Sequence, residues 1–104
     1  MSDENKLPLK INLFGRTIKV EVRESLPLSS YTDSKEDLLA VGCCYFVEQV
    51  VMIKACLDYD SKMSTLLHEI IHMISDQLSL NLSEKQVCGL EAGLFSIIKD
   101  LKFK

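Results

Sequence analysis

The chain has 104 residues, enough for one compact core and too few for two, and its 47% hydrophobic and 26% charged content is that of a globular protein rather than a disordered one. A net charge of −3, a pI near 5.3 and the lack of any Lys/Arg cluster argue against an electrostatic nucleic-acid binder. Met1 to Lys10 is polar and charged, unlike a secretory leader, and no apolar run approaches the ~20 residues that span a bilayer, so neither nucleic acid nor membrane is expected as a partner.

Residues 1–104 read as a single domain with a flexible start over 1–7. Leu9-Lys10-Ile11-Asn12-Leu13 and Ile18-Lys19-Val20-Glu21-Val22 each alternate apolar and polar residues, which predicts a β-hairpin turning at Gly15. Over residues 23–41 the one signal is a short helix through Leu38-Leu39-Ala40, capped by Asp33 or Ser34. From Gly42 to Leu57 the chain is rich in β-branched, aromatic and cysteine residues. This predicts strands Cys43–Val47 and Val50–Cys56 turning near Glu48-Gln49, or else one long strand. The four cysteines, Cys43, Cys44, Cys56 and Cys88, have no CxxC spacing and no paired framework. Free thiols in a reducing cytoplasm are expected.

A helix follows, capped by Asp60 or Ser61 and running to about Leu78, with Met63, Leu66, Leu67, Ile70, Ile71, Ile74 and Leu78 as its apolar stripe. Ser64, Thr65, His68, Glu69, His72 and Asp76 occupy the remaining arc, toward water or a cleft. A further helix opens at Ser83, where Gln86 three residues on completes a capping box, and runs to about Leu101. Its apolar face is Val87, Leu90, Leu94, Ile97, Ile98 and Leu101, with Phe95 at the margin and Lys99, Lys102 and Lys104 suited to its C-terminal end. The order predicts an α+β fold, a small antiparallel or mixed sheet followed by two helices.

His68-Glu69-Ile70-Ile71-His72 spells HExxH and uses both histidines of the chain. On a helix the imidazoles of His68 and His72 lie one turn apart and can close on one metal ion, and Glu69 can take a proton from a metal-bound water. Two histidines hold zinc weakly, so a third ligand is required, with a fourth position left to water. Glu91 is the leading candidate. Projected at about 100° per residue it falls between Ile98 and Phe95 on an apolar arc, where an unpaired carboxylate is costly. In an antiparallel helix hairpin it also lies opposite the histidine pair. Glu84 shares that face but sits in the first turn, where acidic residues suit the helix dipole. Cys88 is on the same side, either as a ligand or as a small buried thiol. The non-metal alternative for Glu91 is a salt bridge to a lysine.

Thr65-Leu66-Leu67-His68-Glu69-Ile70-Ile71-His72, followed after a short turn by a helix bearing a glutamate, resembles the small gluzincin-type metallopeptidases. These include the minigluzincins and the ImmA/IrrE-like domains often encoded in phage and mobile elements. The likeness covers about residues 8–101 in layout and is specific over about 62–95. It implies a zincin-like fold in which an active-site helix precedes a glutamate helix, and Zn²⁺ held by His68, His72 and Glu91. It further implies Glu69 as general base and a peptide or protein as substrate. The chain departs from the family in lacking the Glu-x-x-Ala-Asn/Asp pattern after the ligand and the larger members' substrate-binding subdomain. No clear oxyanion donor stands out among Tyr31, Tyr45 and Tyr59. Two functions follow, a zinc peptidase or an inactive or latent zinc-binding regulatory module, and a metal-free helical packing module is the third reading. Substrate identity and oligomeric state are left open.

Overall fold

A computed structural model describes residues 7–26 and 41–101, the last by its backbone alone. Residues 1–6 of the flexible start expected over 1–7, the short helix near Leu38, and Tyr31, Lys102 and Lys104 lie outside the described residues. The fold is α+β. Strands β1 (Lys10–Leu13), β2 (Arg16–Arg23), β3 (Gly42–Tyr45) and β4 (Val50–Lys54) precede helices α1 (Tyr59–Leu78) and α2 (Glu84–Leu101).

Hairpin β1–β2 forms where alternation predicts it. Phe14 (φ 54°) and Gly15 (φ 80°) both take left-handed conformations, matching the two-residue turn that suits the twist of its strands. The sheet order is β1-β2-β4-β3, with β2 parallel to β4 and the other pairs antiparallel. The four-residue turn 46–49 separates β3 from β4, which rules out the single long strand. β4 lies between β2 and β3, so among the described residues the edge strands are β1 and β3, of which β3 packs against α1.

One face of the sheet carries Ile18 and Val20 of β2 and Val51 and Ile53 of β4, which with Leu66 and Met73 of α1 form the buried core. Removing each such side chain from water contributes about 1.5–3 kcal/mol. Register places Cys44 beside Val51 and Gly42 beside Ile53, so both β3 residues share the face turned toward α1.

The cap of α1 is Asp58, two residues before Asp60 and three before Ser61, the expected caps: its carboxylate accepts from the backbone N–H of Ser61 at 2.8 Å. The helix ends at Ser79 in a left-handed conformation, and the N–H of Leu80 returns to the carbonyl of Ser75 at 2.9 Å. The buried Ser75 hydroxyl also accepts from the N–H of Leu82, pinning the inter-helix turn. The capping box is present in α2. The N–H of Ser83 donates to Gln86 Oε1 at 2.8 Å and the N–H of Gln86 to Ser83 Oγ at 3.1 Å.

Burial along the helices departs from simple periodicity. The sheet side of α1 is Leu66, Glu69 and Met73, so Glu69 occupies a core position one turn from each neighbour instead of the polar arc. Among the described side chains of α2 Val87 alone is fully buried, while Leu90, Leu94, Ile97 and Ile98 remain exposed. The cause is the layering: among the described residues α1 packs on β3 and β4, and α2 packs chiefly on α1.

Candidate metal centre

The helix hairpin sets the site. Lys99 Nζ reaches Asp60 Oδ2 at 3.0 Å, and in the same antiparallel register Glu91 lies opposite His68. The 20-residue α1 carries His68 and His72 one turn apart with ring centroids 4.9 Å apart, on the side turned to α2. Neither is a surface histidine: their side chains are 17% and 28% exposed.

Glu84, in the first turn of α2, bridges the pair. Its Oε2 is 2.9 Å from His68 Nε2 and its Oε1 is 3.0 Å from His72 Nε2. The three ligand-type groups His68, His72 and Glu84 bring their donor atoms within 4.8 Å of one another. Two imidazole nitrogens and a carboxylate in that space suit a borderline divalent cation, so the residues present fit a metal ion.

Glu91, the residue expected as third ligand, takes a different atom of the same histidine. Its Oε1 lies 2.8 Å from His68 Nδ1, and the hydroxyl of Ser64 donates to its other oxygen. A carboxylate on Nδ1 selects the tautomer with the proton there, leaving the Nε2 lone pair toward Glu84 and His72. The hairpin reasoning located Glu91 beside the histidines. Glu84, weighed second, also reaches them, although it sits seven residues, about two turns, nearer the inter-helix turn. The charge of His68 is drawn both ways: burial disfavours the cation, but the Glu91 hydrogen bond and the Glu69, Glu84 and Glu91 charges outweigh it, and the pKa is raised.

Glu69 faces the other way around α1, toward β3. It is only 8% exposed, and burial raises its pKa against the opposing pull of the Cys44 thiol hydrogen bond and of both histidines. Cys44 is the residue that sequence reasoning missed here. Its thiol is pushed well above the ordinary cysteine range by burial and by Glu69, so it is a neutral donor to that carboxylate. Gly42 makes the approach possible: a Cβ there would stand 2.3 Å from Thr65 Cγ2 and 3.4 Å from Glu69 Oε2.

All four cysteines are free thiols. Cys88 is exposed rather than buried, its Sγ 3.9 Å from Glu84 Oε2. Among the described residues no helix is long and apolar enough to cross a membrane. Compared with family models, with curated proteins and with solved structures, the chain matches none.

Proposed function

We propose that His68, His72 and Glu84 hold a zinc ion and that the protein is a zinc-dependent peptidase with Glu69 as its general base. The observation that carries this reading is the convergence of both Nε2 atoms on Glu84 while Nδ1 of His68 is engaged by Glu91. Three protein ligands with one position left over is the donor set of catalytic rather than structural zinc sites. The HExxH spelling and the resemblance to small gluzincins point the same way, with Glu84 taking the ligand role first expected of Glu91.

Zinc in such a site would polarise a scissile carbonyl and lower the pKa of water. The chain's own residues do the rest. Glu91 and Ser64 fix the His68 ring. Glu69 takes a proton from the attacking water and passes it to the leaving amine, a task for which burial tunes a carboxyl upward. The open edge of β3, beside Glu69, offers backbone groups to an extended peptide.

A second reading, a latent or inactive zinc-binding regulatory module, is favoured by one observation: Glu69 is closed in between α1 and β3 and hydrogen-bonded to Cys44. One experiment separates the readings. Wild type and Glu69→Ala are compared on an unbiased peptide library, with metal content measured on the same samples. The peptidase reading expects about one zinc per chain in both and a loss of about 10²–10⁴ in rate for Glu69→Ala. Zinc-loaded wild type without cleavage supports the module, and wild type without bound metal removes both.

A further inference from the structure

We infer that Cys44 is a positioning residue for the base: its thiol donates a hydrogen bond to the carboxylate of Glu69 and holds that side chain in one orientation between α1 and β3. The role in rate rests on the peptidase reading; the contact stands without it.

A glutamate side chain turns about three bonds, and a general base must present an oxygen within hydrogen-bond reach of its proton donor. Neighbours have to remove that freedom. α1 places Glu69 on its sheet side, one turn from Leu66 and one from Met73, and leaves it 8% exposed. A carboxylate there without a donor would be costly. The facing strand supplies one. Register sets Cys44 beside Val51 on the face of β3 that α1 covers, and Cys44 packs against the core of Ile18, Val51, Leu66 and Met73. Two residues away on the same face, Gly42 lets the strand come so near that a Cβ there would stand 3.4 Å from Glu69 Oε2. The carboxylate therefore lies against this stretch of β3, where the Cys44 thiol is hydrogen-bonded to it.

Chemistry sets the direction of that bond. Burial and the Glu69 charge keep the thiol protonated, so sulfur carries the hydrogen and the carboxylate accepts it. An S–H donates once, and the carboxylate keeps acceptor positions for a water. Sulfur never gives up its proton, so Cys44 makes and breaks no bond in the reaction. Cys43 is the natural comparison. One residue earlier, it lies on the opposite face of the sheet, where its partner is Tyr45.

The test reads the bond and the rate separately. In the infrared difference between wild type and Cys44→Ser, the S–H stretch of Cys44 is expected at lower wavenumber than that of a free thiol. It should move up when Glu69→Gln is introduced into both proteins. On a peptide that wild type cleaves, zinc-loaded Cys44→Ala is expected to lose about 10–100-fold in kcat with KM little changed, the cost of losing a group that orients a reacting one. Cys44→Ser, which keeps a donor, should recover much of that loss, and Cys43→Ala should keep the wild-type kcat. Circular dichroism and zinc content are measured on every variant; if Cys44→Ala loses helix or metal, Cys44→Val, closer in volume, is read in its place. A band that ignores Glu69→Gln would overturn the contact. Equal losses in the alanine and serine variants, a matching loss in Cys43→Ala, or a kcat that rises without the thiol would overturn the positioning role. Zinc-loaded wild type that cleaves nothing would end the peptidase reading and the positioning role with it, and a responsive band would then leave Cys44 as a structural partner of Glu69 only.

Discussion

Glu91 and His68 meet 2.8 Å apart across the helix hairpin, carboxylate oxygen to Nδ1, so the glutamate holds the histidine by the nitrogen that faces away from His72 and Glu84. Groups in that position orient a metal-binding imidazole and raise its basicity without touching the metal.

The two glutamates are therefore expected to separate in a metal titration against a competing chelator. Glu91→Gln should weaken zinc binding about 10–100-fold, the usual cost of losing a group that orients a ligand. Glu84→Gln, which removes a donor atom, should cost more. The reverse order would return the ligand role to Glu91 and leave the site standing.

Metal is expected to stabilise the fold, because among the described residues of α2 Val87 alone is fully buried and the site residues and the Lys99–Asp60 pair tie the helix to α1. At free zinc one hundred times the dissociation constant the gain is about 2.7 kcal/mol. Thermal unfolding with zinc and with chelator measures it. His68→Ala should erase the difference; a shift that survives this variant would mean that the ion binds elsewhere.

Gly42→Ala should destabilise by about 1–3 kcal/mol, the usual range for overpacking, since the new methyl meets Thr65 Cγ2 and the edge strand must lift away from Glu69. Thr65→Ser removes the opposing methyl and should recover most of the loss in the double variant. Urea unfolding of the four proteins completes the cycle. Additive effects would show that the two residues are not in contact.

The N-cap of α1 should make stability pH-dependent. Asp58 has its pKa lowered by the hydrogen bonds from Ser61, so the folded state favours the ionised form. Its contribution is present above the ordinary aspartate pKa of about 3.9 and is lost as pH falls through the lower folded value. The Tm difference between wild type and Asp58→Asn, which caps without charge, should be positive near neutrality and vanish in acid. A difference constant with pH would show that the charge plays no part.

By itself the sequence determined what depends on neighbours along the chain. Period-two alternation specified hairpin β1–β2, the Ser83–Gln86 pair specified the start of α2, and the one-turn spacing of His68 and His72 put both rings on one side of α1. These are short-range matters of dihedral preference and side-chain direction, which any chain with this local sequence would share. Tertiary structure decided whatever depends on the angle and offset at which distant elements meet. Docking of β3 onto α1 at Gly42 turned Glu69 from an apparent surface position into a buried one beside Cys44. The parallel pairing of β2 with β4 put β4 in the sheet interior and left β3 as the edge. The relative height of the helices brought Glu84 to both Nε2 atoms and Glu91 to Nδ1. An amphipathic pattern records that a helix face is apolar, but not what covers it. Layering settled that on α2, leaving Leu90, Leu94, Ile97 and Ile98 in water, because the single sheet face had already been taken by α1.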